Sequence, residues 1–242
     1  MNRYILILLL QTFTPLVRGQ AEHVKQLHAA ELQAILKNER VTLLDVRTRS
    51  EFANGHIEDA GQLNYYALDF RKKLLLLSRD KPVYLYCNTG YRSERAAEIL
   101  VKSGYENVYN LEKGIMEWEL LNFAVEVEPD ARPDTRDKME TDEYFALINS
   151  ELPVFIDFYA PWCGPCRQMM PMIDSLRKVF AGSIDVVKIN ADASKKLVKE
   201  LALGSVPWFK MFHQGEEVFS HSGLLKKEEV TELFEGVLSG KN

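Results

Sequence analysis

The stretch at residues 154–166 constrains the fold of this chain more than any other, because an apolar run there ends at a pair of cysteines. The run is rich in aromatic and branched side chains, and Pro161 breaks it just before Cys163 and Cys166. A run of this kind is typical of a buried strand that leads into a redox site. Apolar residues then recur at spacings of three and four over residues 167–180, which predicts a helix whose first turn holds both cysteines.

A cysteine at the N-terminus of a helix has a chemical advantage. The positive end of the helix dipole and the unpaired backbone N–H groups stabilise a thiolate there. We therefore expect Cys163, the upstream and exposed thiol, to attack, and Cys166, one turn inside the helix, to resolve the intermediate. A zinc site is the alternative, but the chain has only three cysteines and none lies near a Cys/His partner pair, so we predict no metal.

Several motifs in the C-terminal part of the chain follow one another in an order that a known family shares. They are the strand before Pro161, Trp162-Cys163-Gly164-Pro165-Cys166, residues 187–192, Ser205-Val206-Pro207-Trp208 and the Gln214-Gly215 turn. Together they resemble the thioredoxin family. The resemblance implies a thioredoxin fold with a mixed central sheet and a redox disulfide between Cys163 and Cys166. No clear first strand precedes the helix predicted at residues 142–149, which departs from the family pattern.

The resemblance also implies roles for individual residues. Trp162, Val206 and a cis Pro207 facing the disulfide would bind the substrate. Asp157 would be a buried carboxylate that assists proton transfer to and from the resolving cysteine, with Lys188 as its cationic neighbour. The residues alone leave two alternatives open, since Asp157 fits a local strand-end cap and Pro207 fits an ordinary trans turn proline.

Length and composition limit the number of domains and the classes of partner. A chain of 242 residues, of which 46% are hydrophobic and 27% charged, can bury two ordinary cores and is not disordered. The formal charge is −5, and the basic residues are dispersed among acidic ones. We therefore expect no nucleic-acid partner.

The N-terminus has the layout of an export signal. A cationic start precedes a short apolar segment at residues 4–10, and Gly19 and Ala21 offer small residues for cleavage. We predict a signal peptide over residues 1–21 and a periplasmic or otherwise exported protein. The apolar segment is far shorter than the about 20 residues that span a bilayer, although residues 13–17 could extend it into an uncleaved anchor.

Residues 22–124 alternate between helical and strand patterns, which predicts a parallel α/β sheet with right-handed crossovers. Helices are predicted at residues 29–36, 94–101 and 114–121, and strands at residues 41–46, 82–87 and 107–111. Ligands of such sheets bind at the carboxyl ends of the strands, and Cys87 lies at one of those ends. Once Cys163 and Cys166 pair, Cys87 is the leftover thiol of an exported chain, and it requires an explanation.

The loop after Cys87 can enclose a small anion. Gly90 can adopt a positive φ, which lets successive backbone N–H groups turn inward around the sulfur, with a helix N-terminus behind them. Arg92 adds a fixed positive charge, and Ser93 is expected to open the helix. Four residues separate Cys87 from Arg92, fewer than in the loops with which cysteine phosphatases hold phosphate, so the expected guest is a terminal sulfur bonded to Cys87. The predicted substrate-binding residues are Asn88, Thr89, Gly90, Tyr91 and Arg92.

A second set of motifs surrounds this loop. It comprises Asp45-Val46-Arg47-Thr48, Glu51-Phe52, Gly55-His56-Ile57, the loop from Cys87 to Arg92, and Gly114 with Trp118. Together they resemble a single rhodanese domain. The resemblance implies that Cys87 accepts a sulfane sulfur as a persulfide and passes it to a thiophilic acceptor. Lys113, where a glycine is usual, and the irregular segment at residues 58–64 depart from the pattern and leave the sulfur donor open.

Other readings of these residues remain. The domain could be an inactive binding module, or Cys87 could be a buried and inert thiol, since free cysteine is among the most buried residue types. Three charged residues of these motifs are expected to form an internal set of salt bridges and helix caps, and not to act in catalysis: Asp45, Arg47 and Glu51. His56 fits a residue that packs a loop.

The two halves are joined by residues 125–137, which contain two prolines and alternating charges without apolar periodicity. This composition predicts a semi-rigid, solvated linker between a rhodanese-like domain at residues 22–124 and a thioredoxin-like domain at residues 138–242. The predicted fold class is therefore α/β with two domains.

Two complementary sulfur sites on one chain predict a sulfurtransferase coupled to a thiol-disulfide reductase. A sulfane-sulfur donor such as thiosulfate would load Cys87, and the tethered pair of Cys163 and Cys166 would discharge it. Protein thiols or disulfides are the other expected partners. The Gly164-Pro165 dipeptide resembles that of reducing members of the thioredoxin family. An exported reductase needs an external source of electrons, so we expect a membrane electron donor. We expect no cofactor. The alternatives are a thiol-disulfide oxidoreductase with a sulfur-sensing or docking module, and a non-enzymatic scaffold.

Overall fold

Two separate sheets organise residues 23–240, the part of the chain that the computed structural model describes. The predicted signal peptide at residues 1–21 lies outside the described residues. The first sheet has five parallel strands and the second has four mixed strands, so the predicted two-domain α/β fold is confirmed. No helix among residues 23–240 is both long and apolar enough to cross a bilayer.

The first domain alternates strands and helices. Its strands are β1 (Lys25–Leu27), β2 (Thr42–Asp45), β3 (Gly61–Gln62), β4 (Val83–Tyr86) and β5 (Val108–Leu111). Its helices are α1 (Ala29–Asn38), α2 (Arg49–Ala53), α3 (Phe70–Leu74), α4 (Tyr91–Val101) and α5 (Gly114–Leu120). The strand order β1-β5-β4-β2-β3 places β4, which leads to Cys87, in the middle of the sheet.

Strand β4 is central because its side chains are apolar on both faces. All four of its residues are buried, as expected for a parallel strand with helices on either side. Leu85 belongs to a core cluster with Ala96 and Leu100 of α4, whereas Tyr84 and Tyr86 pack on the opposite face. This two-sided burial fixes the position at which the chain leaves the sheet at Cys87.

Helix α4 begins earlier than predicted. The sequence pattern places Ser93 at its start, but Gly90 adopts a left-handed conformation with φ 84° and forms the N-cap. The helix therefore begins at Tyr91, and Arg92 lies in its first turn.

The second domain contains both predicted cysteines of the redox pair. Its strands are β6 (Val154–Tyr159), β7 (Asp185–Asn190), β8 (Trp208–His213) and β9 (Glu216–Ser222). Its helices are α6 (Thr141–Ile148), α7 (Gly164–Val179), α8 (Lys195–Glu200) and α9 (Lys227–Leu238). The strand order is β7-β6-β8-β9, with β6 and β7 parallel and the other pairs antiparallel. Within the described chain no strand lies between the linker and α6, as the sequence predicts.

The linker contains no buried residue, in line with its composition, but its backbone pairs with both domains. His56 and Glu126 form an antiparallel bridge through backbone hydrogen bonds of 2.9 and 2.8 Å, and Glu128 donates its N–H to the carbonyl of Ala53. At the other end, Asn190 donates to the carbonyl of Asp137. Backbone pairing, which composition does not reveal, therefore attaches each end of the linker to the domain beside it.

The packing of α9 onto β6 yields a stability prediction. The ring of Phe234 is fully buried and lies 5.0 Å from the rings of both Phe155 and Phe180. We expect Phe234→Ala to lower the free energy of unfolding of the thioredoxin-like domain by about 3–5 kcal/mol, because it leaves a cavity. Leu238→Ala on the same helix removes a side chain that is 47% exposed and serves as the control. Urea unfolding of both variants measures the difference, and equal losses would contradict this assignment of the core.

Candidate functional site

The loop after Cys87 is shaped by two glycines. Gly90 has φ 84°, and a Cβ added there would lie 1.8 Å from the carbonyl oxygen of Glu112. Gly114 has φ 61°, and its added Cβ would lie 2.3 Å from the backbone of Asn88. The loop therefore fits against the start of α5 only because both positions lack a side chain.

The backbone of this loop leaves donors unused. Within the described chain, the N–H groups of Thr89, Gly90, Tyr91 and Arg92 donate no hydrogen bond to another residue. The last two belong to the first turn of α4, where N–H groups normally lack a partner inside the helix. Such a set of donors matches the expected anion site next to Cys87.

The side chain of Arg92 does not face the cysteine alone. Its guanidinium donates to both carboxylate oxygens of Glu51, at 3.1 and 2.6 Å. Burial alone would raise the pKa of Glu51, but the hydrogen bonds from Arg92 and Thr48 outweigh burial and hold this pKa below its usual range. The fixed positive charge predicted for the loop is thus largely balanced by Glu51, which also caps α2 through Thr48.

A buried polar network lies behind the loop. Arg47 forms a salt bridge with Asp45 at 2.6 Å and donates to the side-chain oxygen of Asn88 at 3.1 Å. The side-chain nitrogen of Asn88 donates to Glu51 at 2.7 Å. The predicted salt-bridge and capping set is therefore confirmed, and Asn88 belongs to it. Asn88 was expected to bind substrate, but its side chain is fully engaged here, so it can contribute to an anion site only through its backbone.

His56 packs as predicted. Its ring is buried and stacks on the ring of Phe52, with centroids 3.7 Å apart.

Cys87 is a buried thiol. Only 1% of the residue is exposed, and it belongs to the core cluster of the first domain. It follows the fully buried strand β4, which explains why its side chain is enclosed. The burial agrees with the alternative in which Cys87 is a buried thiol.

The second cysteine pair forms a disulfide at the start of α7. Cys163 is the N-cap of this helix and is bonded to Cys166, whose backbone N–H points to the sulfur of Cys163 at 3.1 Å. The predicted strand-to-helix geometry is thus confirmed. Cys163 was expected to be exposed, but only 3% of it is.

The residues around the disulfide lie where the thioredoxin resemblance implies. The peptide bond between Val206 and Pro207 is cis, and Val206 packs against the cluster that holds Cys163 and Cys166. Trp162 joins the same cluster. Its indole N–H donates to Asp192 at 2.8 Å, a partner that sequence reasoning missed although Asp192 lies within the matching motif at residues 187–192.

Asp157 is a buried carboxylate. It is 2% exposed, and in the described structure its Oδ1 has no hydrogen-bond partner. Burial raises the pKa of Asp157 to about 7, although the charge of Lys188 opposes the rise. Lys188 lies opposite Asp157 on the neighbouring strand, but its ammonium group pairs with Asp174 at 2.8 Å. The predicted cationic neighbour is therefore in place, but it shares its charge with Asp174.

Residues next to the two sites meet at the boundary between the domains. The guanidinium carbon of Arg92 lies 5.7 Å from the centre of the Tyr66 ring and 5.9 Å from that of Trp162, which precedes Cys163. A cleft of about 770 Å³ runs between the domains, and Glu51, Asn88, Trp162 and Asp192 are among its walls. No local sequence signal could reveal this contact, because it joins residues of different domains. Among the described residues no cluster of three or more His, Cys, Asp or Glu side chains is placed to hold a metal ion.

The raised pKa of Asp157 predicts a pH-dependent stability. A carboxyl whose pKa is higher in the folded state than in the unfolded state destabilises the fold as pH rises from about 4 to about 7. We expect Asp157→Asn to raise the free energy of unfolding of the oxidised chain by about 2–4 kcal/mol at pH 8 and by little at pH 4. Urea unfolding at the two pH values measures this. A gain that is the same at both would show that ionisation is not the cause.

Comparisons with known proteins match both domains. Residues 28–121 match the model of the rhodanese-like domain family, and residues 136–235 match that of the thioredoxin family. The thioredoxin of Porphyra purpurea is 42% identical over 81 residues, which cover 34% of this chain and 76% of that protein. The thioredoxin of Haemophilus influenzae is 34% identical over 84 residues, which cover 35% of this chain and 78% of that protein.

Among solved structures, oxidised mitochondrial thioredoxin 3 from Saccharomyces cerevisiae aligns at 27% identity and a TM-score of 0.37, over 40% of this chain and 89% of that chain. The chain therefore belongs to the thioredoxin family through its C-terminal domain, with a rhodanese-like domain in front of it.

Proposed function

We propose that Cys87 accepts a sulfane sulfur as a persulfide and that the dithiol of Cys163 and Cys166 discharges it as sulfide. The rhodanese-like and thioredoxin domains support a sulfurtransferase and thiol-disulfide oxidoreductase in general. The coupling between these two activities is the proposal.

One observation carries it: the arginine of the Cys87 loop lies beside the tryptophan of the disulfide site. The guanidinium carbon of Arg92 lies 5.9 Å from the centre of the Trp162 ring, so the loop that follows Cys87 borders the residue that precedes Cys163. A tethered partner can reach an effective concentration of about millimolar, so transfer within the chain can outcompete an external thiol.

The first step is sulfur transfer to Cys87. Its thiolate attacks the sulfane sulfur of thiosulfate, a new S–S bond forms, and the bond to the sulfonate sulfur breaks. Sulfite leaves with the electron pair of the broken bond, and Cys87 carries a persulfide. The unpaired N–H groups of Thr89, Gly90 and Tyr91 would stabilise the negative terminal sulfur.

The second step moves that sulfur to the other domain. The thiolate of Cys163 attacks the terminal sulfur and releases Cys87 as a thiolate. Cys166 then attacks the sulfur of Cys163, the intramolecular disulfide forms, and hydrosulfide leaves. In sum, thiosulfate and a dithiol give sulfite, hydrosulfide, a proton and a disulfide. The two electrons come from the dithiol, and the disulfide in the structure corresponds to the product state.

Asp157 has a pKa suited to carrying a proton to and from Cys166. A carboxyl with a pKa of about 7 is partly protonated near neutral pH, so it can accept a proton from a thiol and return one to a thiolate.

The reduced dithiol must be regenerated from outside the chain. We propose that the protein is exported, on the basis of the pattern at residues 1–21, and that a membrane reductase supplies electrons to Cys163 and Cys166. Small sulfane-sulfur compounds and protein thiols or disulfides are the proposed substrates. We propose no cofactor.

The persulfide can be tested by mass spectrometry and sulfide release. After incubation with thiosulfate, the full-length chain should gain one sulfur atom at Cys87, and Cys87→Ser should gain none there. With dithiothreitol as the electron source, we expect Cys87→Ser to lose at least about tenfold in the rate of sulfide release, because the nucleophile of the first step is gone. Cys163→Ser should keep the persulfide and lose its discharge. Sulfide release at the wild-type rate from Cys87→Ser would refute the coupling.

A second function is favoured by the burial of Cys87. With 1% of the residue exposed, this thiol could be inert, and the chain would then be a thiol-disulfide oxidoreductase with a docking or sulfur-sensing front domain. Loading with thiosulfate separates the two functions. Under the second function no persulfide appears on Cys87, whereas insulin reduction still requires Cys163 and is indifferent to Cys87.

A further inference from the structure

One face of α5 in the rhodanese-like domain lies against the thioredoxin domain. Met116, Glu119 and Leu120 share this face, since residues three and four apart lie on the same side of a helix. Met116 packs against the thioredoxin core cluster that includes Val198 and Leu203. The helix therefore connects the two hydrophobic interiors.

The same face carries a polar contact. Glu119 accepts a hydrogen bond from the ammonium group of Lys195 at 2.6 Å, and the two residues are separated by 76 positions in the sequence. The side chain of Glu119 is 27% exposed and that of Lys195 is 49% exposed.

These contacts fall on the rim of the disulfide site. Lys195 begins α8, three residues after the Asp192 that holds Trp162. Cδ1 of Leu120 lies 3.9 Å from the position that a Cβ on Gly204 would take, and Gly204 shortly precedes the cis Pro207. Arg92 thus contacts Trp162, and helix α5 contacts Lys195 and approaches Gly204, on two sides of the disulfide site. Cys163 in this site is 3% exposed.

We propose that the face formed by Met116, Glu119 and Leu120 is a built-in docking surface that occupies the approach to Cys163 and excludes external protein disulfides while the domains are docked. A protein disulfide needs room for the chain on both sides of its sulfur atoms, whereas a small disulfide or a sulfur on Cys87 does not. That Cys163 is kept for the sulfur on Cys87 rests on the proposed function. That docking excludes protein disulfides does not rest on it. Domain separation then switches the thioredoxin domain to protein substrates.

The docking contact is suited to reversible opening. Partly exposed ion pairs contribute little to stability, and contacts between domains of one chain commonly permit relative motion. A substitution that weakens docking should raise the open fraction, and with it the rate on protein disulfides, in proportion.

The test uses the full-length reduced chain and a substitution in the rhodanese-like domain. Glu119→Lys replaces attraction to Lys195 by repulsion and leaves every thioredoxin residue unchanged. We expect it to raise the rate constant for insulin reduction by roughly threefold to tenfold, because an ion pair becomes a like-charge pair. The rate of cystine reduction should stay unchanged. The exchanged pair Glu119→Lys with Lys195→Glu should return the insulin rate towards the wild-type value.

Two controls make the result specific. Glu106→Lys introduces the same charge change at an exposed position of the same domain that has no side-chain contact with the thioredoxin domain in the described structure, and it should not alter insulin reduction. Met116→Glu removes the apolar part of the contact and should act like Glu119→Lys. If both interface variants reduce insulin at the wild-type rate, or if they change cystine reduction equally, the proposal is overturned. Repeating the series with Cys87→Ser separates this outcome from a failure of the proposed function, because exclusion does not require a persulfide.

Discussion

The guanidinium of Arg92 connects the parts of this molecule on which its chemistry depends. It is held by Glu51, which caps α2, and it lies against the aromatic rings of Tyr66 and Trp162. A buried cation needs a paired anion, and Glu51 supplies it. Because Glu51 also binds Asn88, the loop around Cys87 and the contact with the thioredoxin domain belong to one polar network.

Enclosure of the sulfur atoms follows from the same arrangement. Cys87, Cys163 and Cys166 are all nearly buried, an arrangement that would protect the proposed persulfide from solvent and from stray thiols. Helix α5 adds a contact through Glu119 and Lys195 that is weak enough to open. We infer that the chain alternates between an open state, in which donors and protein disulfides have access, and a docked state, in which the two sites meet.

Local patterns were sufficient to predict the elements next to the cysteines. The strand before Cys163, the helix after it and the left-handed Gly90 are determined by neighbouring residues, and the structure contains all three. Long-range pairings were not predictable. The ion pair between Glu51 and Arg92 spans 41 positions, and the edge strands β1 and β3 have three and two residues, too few to show a period. The pairing of Lys188 with Asp174 likewise depends on how α7 packs on β7.

The most direct test follows the sulfur atom between the domains. The full-length Cys166→Ser chain, which cannot complete the disulfide, is loaded with thiosulfate that carries a heavy isotope at its sulfane position. Peptide mass spectrometry then locates the label over time. We predict that it appears first on the peptide with Cys87 and then on the peptide with Cys163, and that the second signal is lost when Cys87 is also changed to serine. Labelling of Cys163 at an unchanged rate without Cys87 would contradict transfer within the chain.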